Sequence, residues 1–272
     1  MTIGRIGRVT IGAAVGIAVV GVGAALGAVR KSHNIVFLPL PEPSIGAASL
    51  QTSATDSARV RQLLDAARGA NALMCDLASG AVDGRFGWSS DDNFTAGGAD
   101  SASRDVTRWV HEHEVDASAL PTLRAGLADA DACVRRLAAP LLGRIKTPAA
   151  YQAMTSALSS SEASVREMGA LALGHLEDPR SISQLADRLK DDAPRVRAMA
   201  AWALGEIERP ESVAPLIDAL KDQNAMVRRS AAHALGEVED VKAIPALTDL
   251  LKGDRDPEVR RAAALALGEI MG

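Results

Sequence analysis

This sequence has no excess of positive charge. Its 30 Lys and Arg stand against 34 Asp and Glu, a net charge of −4, and the two signs are interspersed. Nucleic acid is bound by a basic face or stripe that displaces counterions, so composition argues against a nucleic-acid partner. Cysteine is scarce too. Cys75 and Cys133 stand alone in helical patterns of different segments, with no Cys-x-x-Cys and no His and Cys at metal-ligand spacing. That argues against a disulfide framework and a structural zinc site, and cysteine usage assigns no compartment. No residues stand in the pattern of a catalytic constellation, so no catalytic, cofactor-binding or metal-binding residue is expected. Aromatic residues number only seven, and three of them, Phe86, Trp88 and Phe94, fall within nine residues of one another.

What the sequence has is repetition. The segment Val196 to Gly205 is written five times, with fellows at Val134 to Gly143, Val165 to Gly174, Val227 to Gly236 and Val259 to Gly268. The valines are spaced 31, 31, 31 and 32 residues apart, each nine residues before its glycine. A fixed period in this range signals stacked repeats. A second column confirms the register: Leu123, Met154, Leu185, Leu216 and Leu247, each followed four residues later by Leu127, Leu158, Leu189, Leu220 or Leu251. Apolar residues at i, i+3 and i+7, as in Leu120, Leu123 and Leu127, predict a first helix in each unit. Pro121, Pro215 and Pro245 sit near the starts of such helices, where a missing N–H costs little. A polar turn then leads to a second helix that opens on the Val-Arg column.

The stretch Asp256-Pro-Glu-Val-Arg-Arg-Ala-Ala-Ala-Leu-Ala-Leu-Gly268 resembles the HEAT repeat, in the short form of about 31 residues found in bacterial proteins and phycobilisome lyase subunits. The resemblance covers residues 116 to 272 and is specific for fold rather than function. It implies an all-α, right-handed α-solenoid, a HEAT/armadillo-like superhelix with first helices on the convex side and second helices lining the concave side. It also implies that Arg135, Arg166, Arg197, Arg228 and Arg260, beside turn acids such as Asp131, Asp191, Asp222 and Asp254, form a structural ladder between units. HEAT-like deoxyhypusine hydroxylases bind two irons through His-Glu pairs where the second helices begin. Those positions here read Arg135-Arg136, Arg166-Glu167, Arg197-Ala198, Arg228-Arg229 and Arg260-Arg261, so a di-iron centre is not expected. HEAT-like glycosylases need a basic concave face, which the charge balance opposes.

Counting from each valine at ~100° per residue, positions +4, +7, +8 and +11 share its side of the helix and form the core face. Positions +2 and +6 then point away from the core, onto the presumed concave surface. The +2 column is Arg136, Glu167, Ala198, Arg229 and Arg261; the +6 column is Pro140, Leu171, Trp202, His233 and Leu265, extended at +3 by Met168 and Met199. Contiguous apolar residues on a monomer's surface mark binding sites, and Trp and Arg dominate binding hot spots. Arg136, Met168, Leu171, Met199, Trp202, Arg229, His233 and Leu265 are therefore the candidate residues for a protein or peptide partner. The competing reading is that this row packs on itself or is covered by the amino-terminal segment.

Upstream of the repeats the chain divides into three parts. Residues 1–31 contain an uncharged run, Val9 to Val29, flanked by Arg5 and Arg8 and by Arg30 and Lys31; 21 helical residues span about 31 Å, near the thickness of a bilayer's hydrocarbon core. This predicts an N-terminal transmembrane helix, with a cleaved signal as the alternative. Basic residues slightly favour an inward amino terminus, and so an outward (periplasmic) repeat domain. Gly12, Gly16, Gly23 and Gly27 offer a face through which two such helices could pair as a homodimer. Residues 32–57, with Pro39, Pro41 and Pro43 and then Ser, Thr and Ala, read as an extended linker.

Residues 58–115 read as a degenerate helical cap: helices over Val60 to Ala67 and Ala72 to Val82, an aromatic loop over 84–100, and a helix over Ser103 to Val115. Phe86, Trp88 and Phe94 either cover the end of the core or touch a partner. His111 and His113 diverge by about 200° on a helix and are not expected to share a metal. The sequence thus points to a membrane-tethered, non-catalytic interaction scaffold, with a bilin lyase-type or accessory role as the alternative.

Overall fold

The computed structural model describes residues 56–69, 75 and 115–272. Among them every regular element is helical. Helix α1 (Asp56–Ala67) precedes five helical hairpins: α2 (Leu120–Leu127) with α3 (Ala132–Gly143), α4 (Pro148–Leu158) with α5 (Ala163–Leu176), α6 (Ile182–Arg188) with α7 (Pro194–Glu206), α8 (Val213–Ala219) with α9 (Ala225–Val238), and α10 (Ile244–Gly253) with α11 (Pro257–Met271). Single 3-10 turns lead into α2, α6, α8 and α10. The cap helix over Val60 to Ala67 is found and starts earlier, at Asp56, inside the stretch read as linker. The expected membrane span, the remainder of the linker, the aromatic loop with Phe86, Trp88 and Phe94, and the helix with His111 and His113 lie outside the described residues. Among the described residues no helix is long and apolar enough to cross a membrane.

Local chemistry sets the helix ends. Asp131, Asn224 and Asp256 each accept backbone N–H groups at the start of a second helix, and Thr147 does so for α4. Each such cap satisfies donors that the helix itself cannot. At the other end Glu177, Glu208 and Glu239, 31 residues apart, adopt left-handed φ of 56°, 50° and 54° and reverse the chain into the next unit. Glycine is the usual residue there.

The two leucine columns meet inside the hairpins. Leu123, Met154, Leu185, Leu216 and Leu247 are all completely buried, each contributing roughly 1.5–3 kcal/mol by leaving water. The second helices α3, α5, α7, α9 and α11 pack directly on one another in sequence, whereas the first helices rest mainly on their own partners. The second helices therefore form one continuous layer of the stack. The terminal glycine of the signature permits this approach: a methyl group on Gly205 would lie 2.8 Å from Cα and Cβ of Ala234 in the next layer, inside contact distance.

Candidate functional site: the inner helices and the junctions between layers

Three of the four junctions between hairpins are each fastened by one arginine. Arg166 donates from Nε and Nη2 to the two carboxylate oxygens of Asp191, both at 2.8 Å, and from Nη1 to the carbonyls of Ser160 and Ser161 at 3.1 and 2.9 Å. Arg197 repeats the pattern with Asp222 (2.7 and 2.9 Å), and Arg228 with Asp254 (2.6 and 2.8 Å). The same aspartates accept the amides of Ala193, Asn224 and Asp256 two residues on, which sets the turn. A planar guanidinium matched to a carboxylate by two parallel bonds fixes both distance and angle between layers. Burial opposes the charge on Asp191, but the Arg166 fork and the Ala193 amide overcome it and hold the carboxyl at about 2. Asp254 is lowered chiefly by Arg228. For Asp222, burial pushes the other way and is outweighed by Arg197 and the Asn224 amide. The ladder is structural, as the resemblance implied.

Two details differ from expectation. In the first layer the ladder acid is Asp129, not Asp131: Arg68, at the end of α1, forks onto Asp129 at 2.9 and 3.0 Å, while Asp131 caps α3. Residues 129, 160, 191, 222 and 254 are the equivalent turn positions, and the second of them is Ser160. Arg135 therefore meets no acid there; its Nη1 donates only to the carbonyls of Asp129 and Ala130, at 2.6 and 3.0 Å.

The expected concave row is divided. Met168, Leu171 and Trp202 are buried, Met199, Arg136 and Arg229 are half-buried, and His233 and Leu265 are exposed. Trp202, only 8% exposed, lies over Gly174 of the preceding layer, with its ring centroid 5.2 Å from that of His175. The expectation that Met168, Leu171 and Trp202 face solvent is corrected. The direction opposite the valine is not water but the next repeat, because Gly at +9 stands 180° from the valine and receives that repeat's alanine. A helix in the middle of a stack has neighbours on both sides as well as its own partner, so a single polar face is too generous a reading. For Trp202 the structure favours the competing self-packing reading.

Sequence periodicity missed a column that stays at least partly accessible in every layer. Arg144, His175, Glu206, Glu237 and Glu269, ten residues after each valine, are half-buried or exposed in every layer. His233 Nε2 lies 3.7 Å from Glu237, and Arg195 forks onto Glu167 at 3.0 and 2.8 Å. Polar character at a fixed repeat position was the signal available for it. Among the described residues no cluster of three or more His, Cys, Asp and Glu could hold a metal ion.

The two cysteines are also corrected. Cys75 and Cys133 form a disulfide across a Cα separation of 5.3 Å, tying the cap to α3. Their 58-residue separation hid the pairing, since proximity is decided by how the cap folds onto the first layer.

The sequence profile described as HEAT repeats matches residues 120–197 and 182–268, more than half of the chain. This protein belongs to the HEAT repeat family. Among solved structures, this HEAT repeat chain is similar to the complex of CpcE and CpcF of phycocyanin lyase from Nostoc sp. PCC7120, at 23% identity and a TM-score of 0.50 over 56% of this chain and 99% of that one. It also matches a designed armadillo repeat protein at 17% identity and a TM-score of 0.42, covering 78% and 99% of the two chains. Human deoxyhypusine hydroxylase matches at 18% and 0.37, covering 79% and 98%. At such identities the likeness concerns the fold. No curated protein matches the sequence.

Proposed function

We propose that this HEAT repeat protein is a membrane-tethered, non-catalytic scaffold that holds a protein or peptide partner along its inner face, in a right-handed superhelix. The observation that carries the reading is the inner row itself. Met199, Arg229 and His233 sit beside the +10 column, which is half-buried or exposed in all five layers and runs from Arg144 and His175 to three glutamates. An extended partner would meet one side-chain set per repeat, the usual economy of solenoid binding surfaces. Arg136 and Leu265 extend the row at its two ends.

The Cys75–Cys133 disulfide supports an oxidising surrounding, which agrees with a periplasmic repeat domain behind an anchor at residues 9–29. Secretion after cleavage of that segment is the alternative, and N-terminal sequencing of the mature protein separates the two. Pairing of two spans through their glycines is part of the same proposal.

The test uses residues that the stack does not need. Met199→Glu with His233→Glu should lower recovery of a crosslinked, identified partner at least about tenfold, as expected for a hot spot, with helical content unchanged. Equal recovery would overturn the groove reading. A lyase-type or accessory role remains the second reading, supported by the likeness to the phycocyanin lyase complex. A colourless product after coexpression with bilin and an acceptor protein overturns it.

A further inference from the structure

Arg135 carries half of a ladder rung. Its Nη1 donates to the carbonyls of Asp129 and Ala130 at 2.6 and 3.0 Å, as Nη1 of Arg166, Arg197 and Arg228 does to the carbonyls of the turn before it. At those three arginines Nε and Nη2 hold an aspartate at 2.6–2.9 Å. For Arg135 the equivalent position in the next layer is Ser160, and among the described residues no carboxylate pairs with it. A guanidinium already held by two carbonyls is fixed in orientation before any ligand arrives, so its outward pair of donors is preorganised.

The serine keeps one half of the aspartate's role. Its Oγ accepts the amide of Glu162 at 3.2 Å, as the carboxyls of Asp191, Asp222 and Asp254 accept the amides of Ala193, Asn224 and Asp256. What it lacks is the pair of oxygens for the arginine, while its own hydroxyl proton is left to donate. Ser160 is half-buried and lines an open cavity of about 350 Å³, so solvent reaches the turn. This junction is bounded by described helices on both sides: α3 supplies the arginine, and α4 and α5 supply the turn. The tie to the cap leaves α3 elsewhere, because Cys133, bonded to Cys75, stands two residues before Arg135, a divergence of about 200° on a helix.

We propose that Arg135 and Ser160 form a binding site for a carboxylate, which completes the rung between the first and second layers. Arg135 Nε and Nη2 donate to its two oxygens, and Ser160 Oγ–H donates to one of them. The carboxylate belongs to a small organic acid or to an acidic side chain of a peptide. Two parallel donors match a planar carboxylate and not a spherical halide. The site is independent of the row with Met199 and His233, which lies in other layers.

The test melts the full-length chain in sodium formate and in N-acetyl-aspartate N-methylamide, each against sodium chloride at the same ionic strength. Formate is expected to raise the melting temperature saturably, by at least about 1 °C, because a ligand that binds only the folded chain stabilises it. An equal increment from the aspartyl probe extends the site to acidic side chains, and its absence restricts the site to small free acids. Ser160→Asp fills the rung from within, so it should raise the melting temperature in chloride and abolish the formate increment. Ser161→Asp adds the same charge one residue away and should keep the increment. Arg135→Lys keeps the charge but loses the fork, and should lose the increment. Hydrogen exchange locates the binding: formate should slow exchange of the amides at 160–162 at least about threefold in the unaltered chain and not in Ser160→Asp. No increment with formate, unchanged exchange at 160–162, an increment that survives Ser160→Asp or Arg135→Lys, or one that Ser161→Asp abolishes overturns the proposal.

Discussion

Arg166 and Asp191 meet across the junction of the second and third layers by two hydrogen bonds of 2.8 Å, with the aspartate side chain only 3% exposed. Removing Asp191 leaves Arg166 buried, with the exposed Asp192, 2.6 Å from its Nη2, as its remaining acid. Asp191→Ala is expected to cost up to roughly 3–5 kcal/mol, whereas Arg180→Ala, at a solvent-exposed pair with Asp178, should have a much smaller effect. Chemical denaturation of the two variants checks the contrast.

The same rungs set the acid limit. The carboxyls of Asp191, Asp222 and Asp254 are held below their usual values by the arginines and turn amides. A lowered folded value means that the stabilisation is fully present above the unfolded carboxyl range, near pH 4, and is lost as pH falls through the folded value, about 2 for Asp191. Stability should thus fall between about pH 4 and pH 2, and Asp191→Asn should flatten that slope. An unchanged slope in a pH series of melting curves would show that other groups govern acid unfolding.

The missing rung can be supplied. Ser160→Asp places a carboxylate at the turn position where Arg135 has none, and should stabilise the chain by about 1 kcal/mol, raising the melting temperature by roughly 2–4 °C. The matched control, Ser160→Asn, should give little gain.

Reducing Cys75–Cys133 reopens a 58-residue separation. The chain-entropy relation gives a loss of up to about 4 kcal/mol for a loop of this size, confined to the cap and first layer. Melting with and without reductant measures it, and thiol titration of the denatured protein without reductant should find no free cysteine.

Trp202→Ala should cost about 3–5 kcal/mol as a core deletion, because the ring fills the space over Gly174. His233→Ala, on the exposed part of the same column, should stay within about 0.5 kcal/mol. Equal effects in thermal denaturation would contradict the burial difference.

The sequence by itself determined the periodic part of this protein. Spacing of Val, Leu and Gly established five hairpins, the inward leucine columns and the family, because each repeat meets the same local environment and so writes the same residues. The arginine ladder was legible for the same reason at Arg166, Arg197 and Arg228; in the first layer Asp131 offered a rival to Asp129, and Arg135 meets Ser160 in place of an acid. Only tertiary structure decided what depends on a neighbouring layer: that Trp202 and Leu171 are covered while Leu265 is not, and that Cys75 reaches Cys133. A helical wheel reports direction about one axis, and burial in a stack is set by whatever occupies that direction in the adjacent repeat.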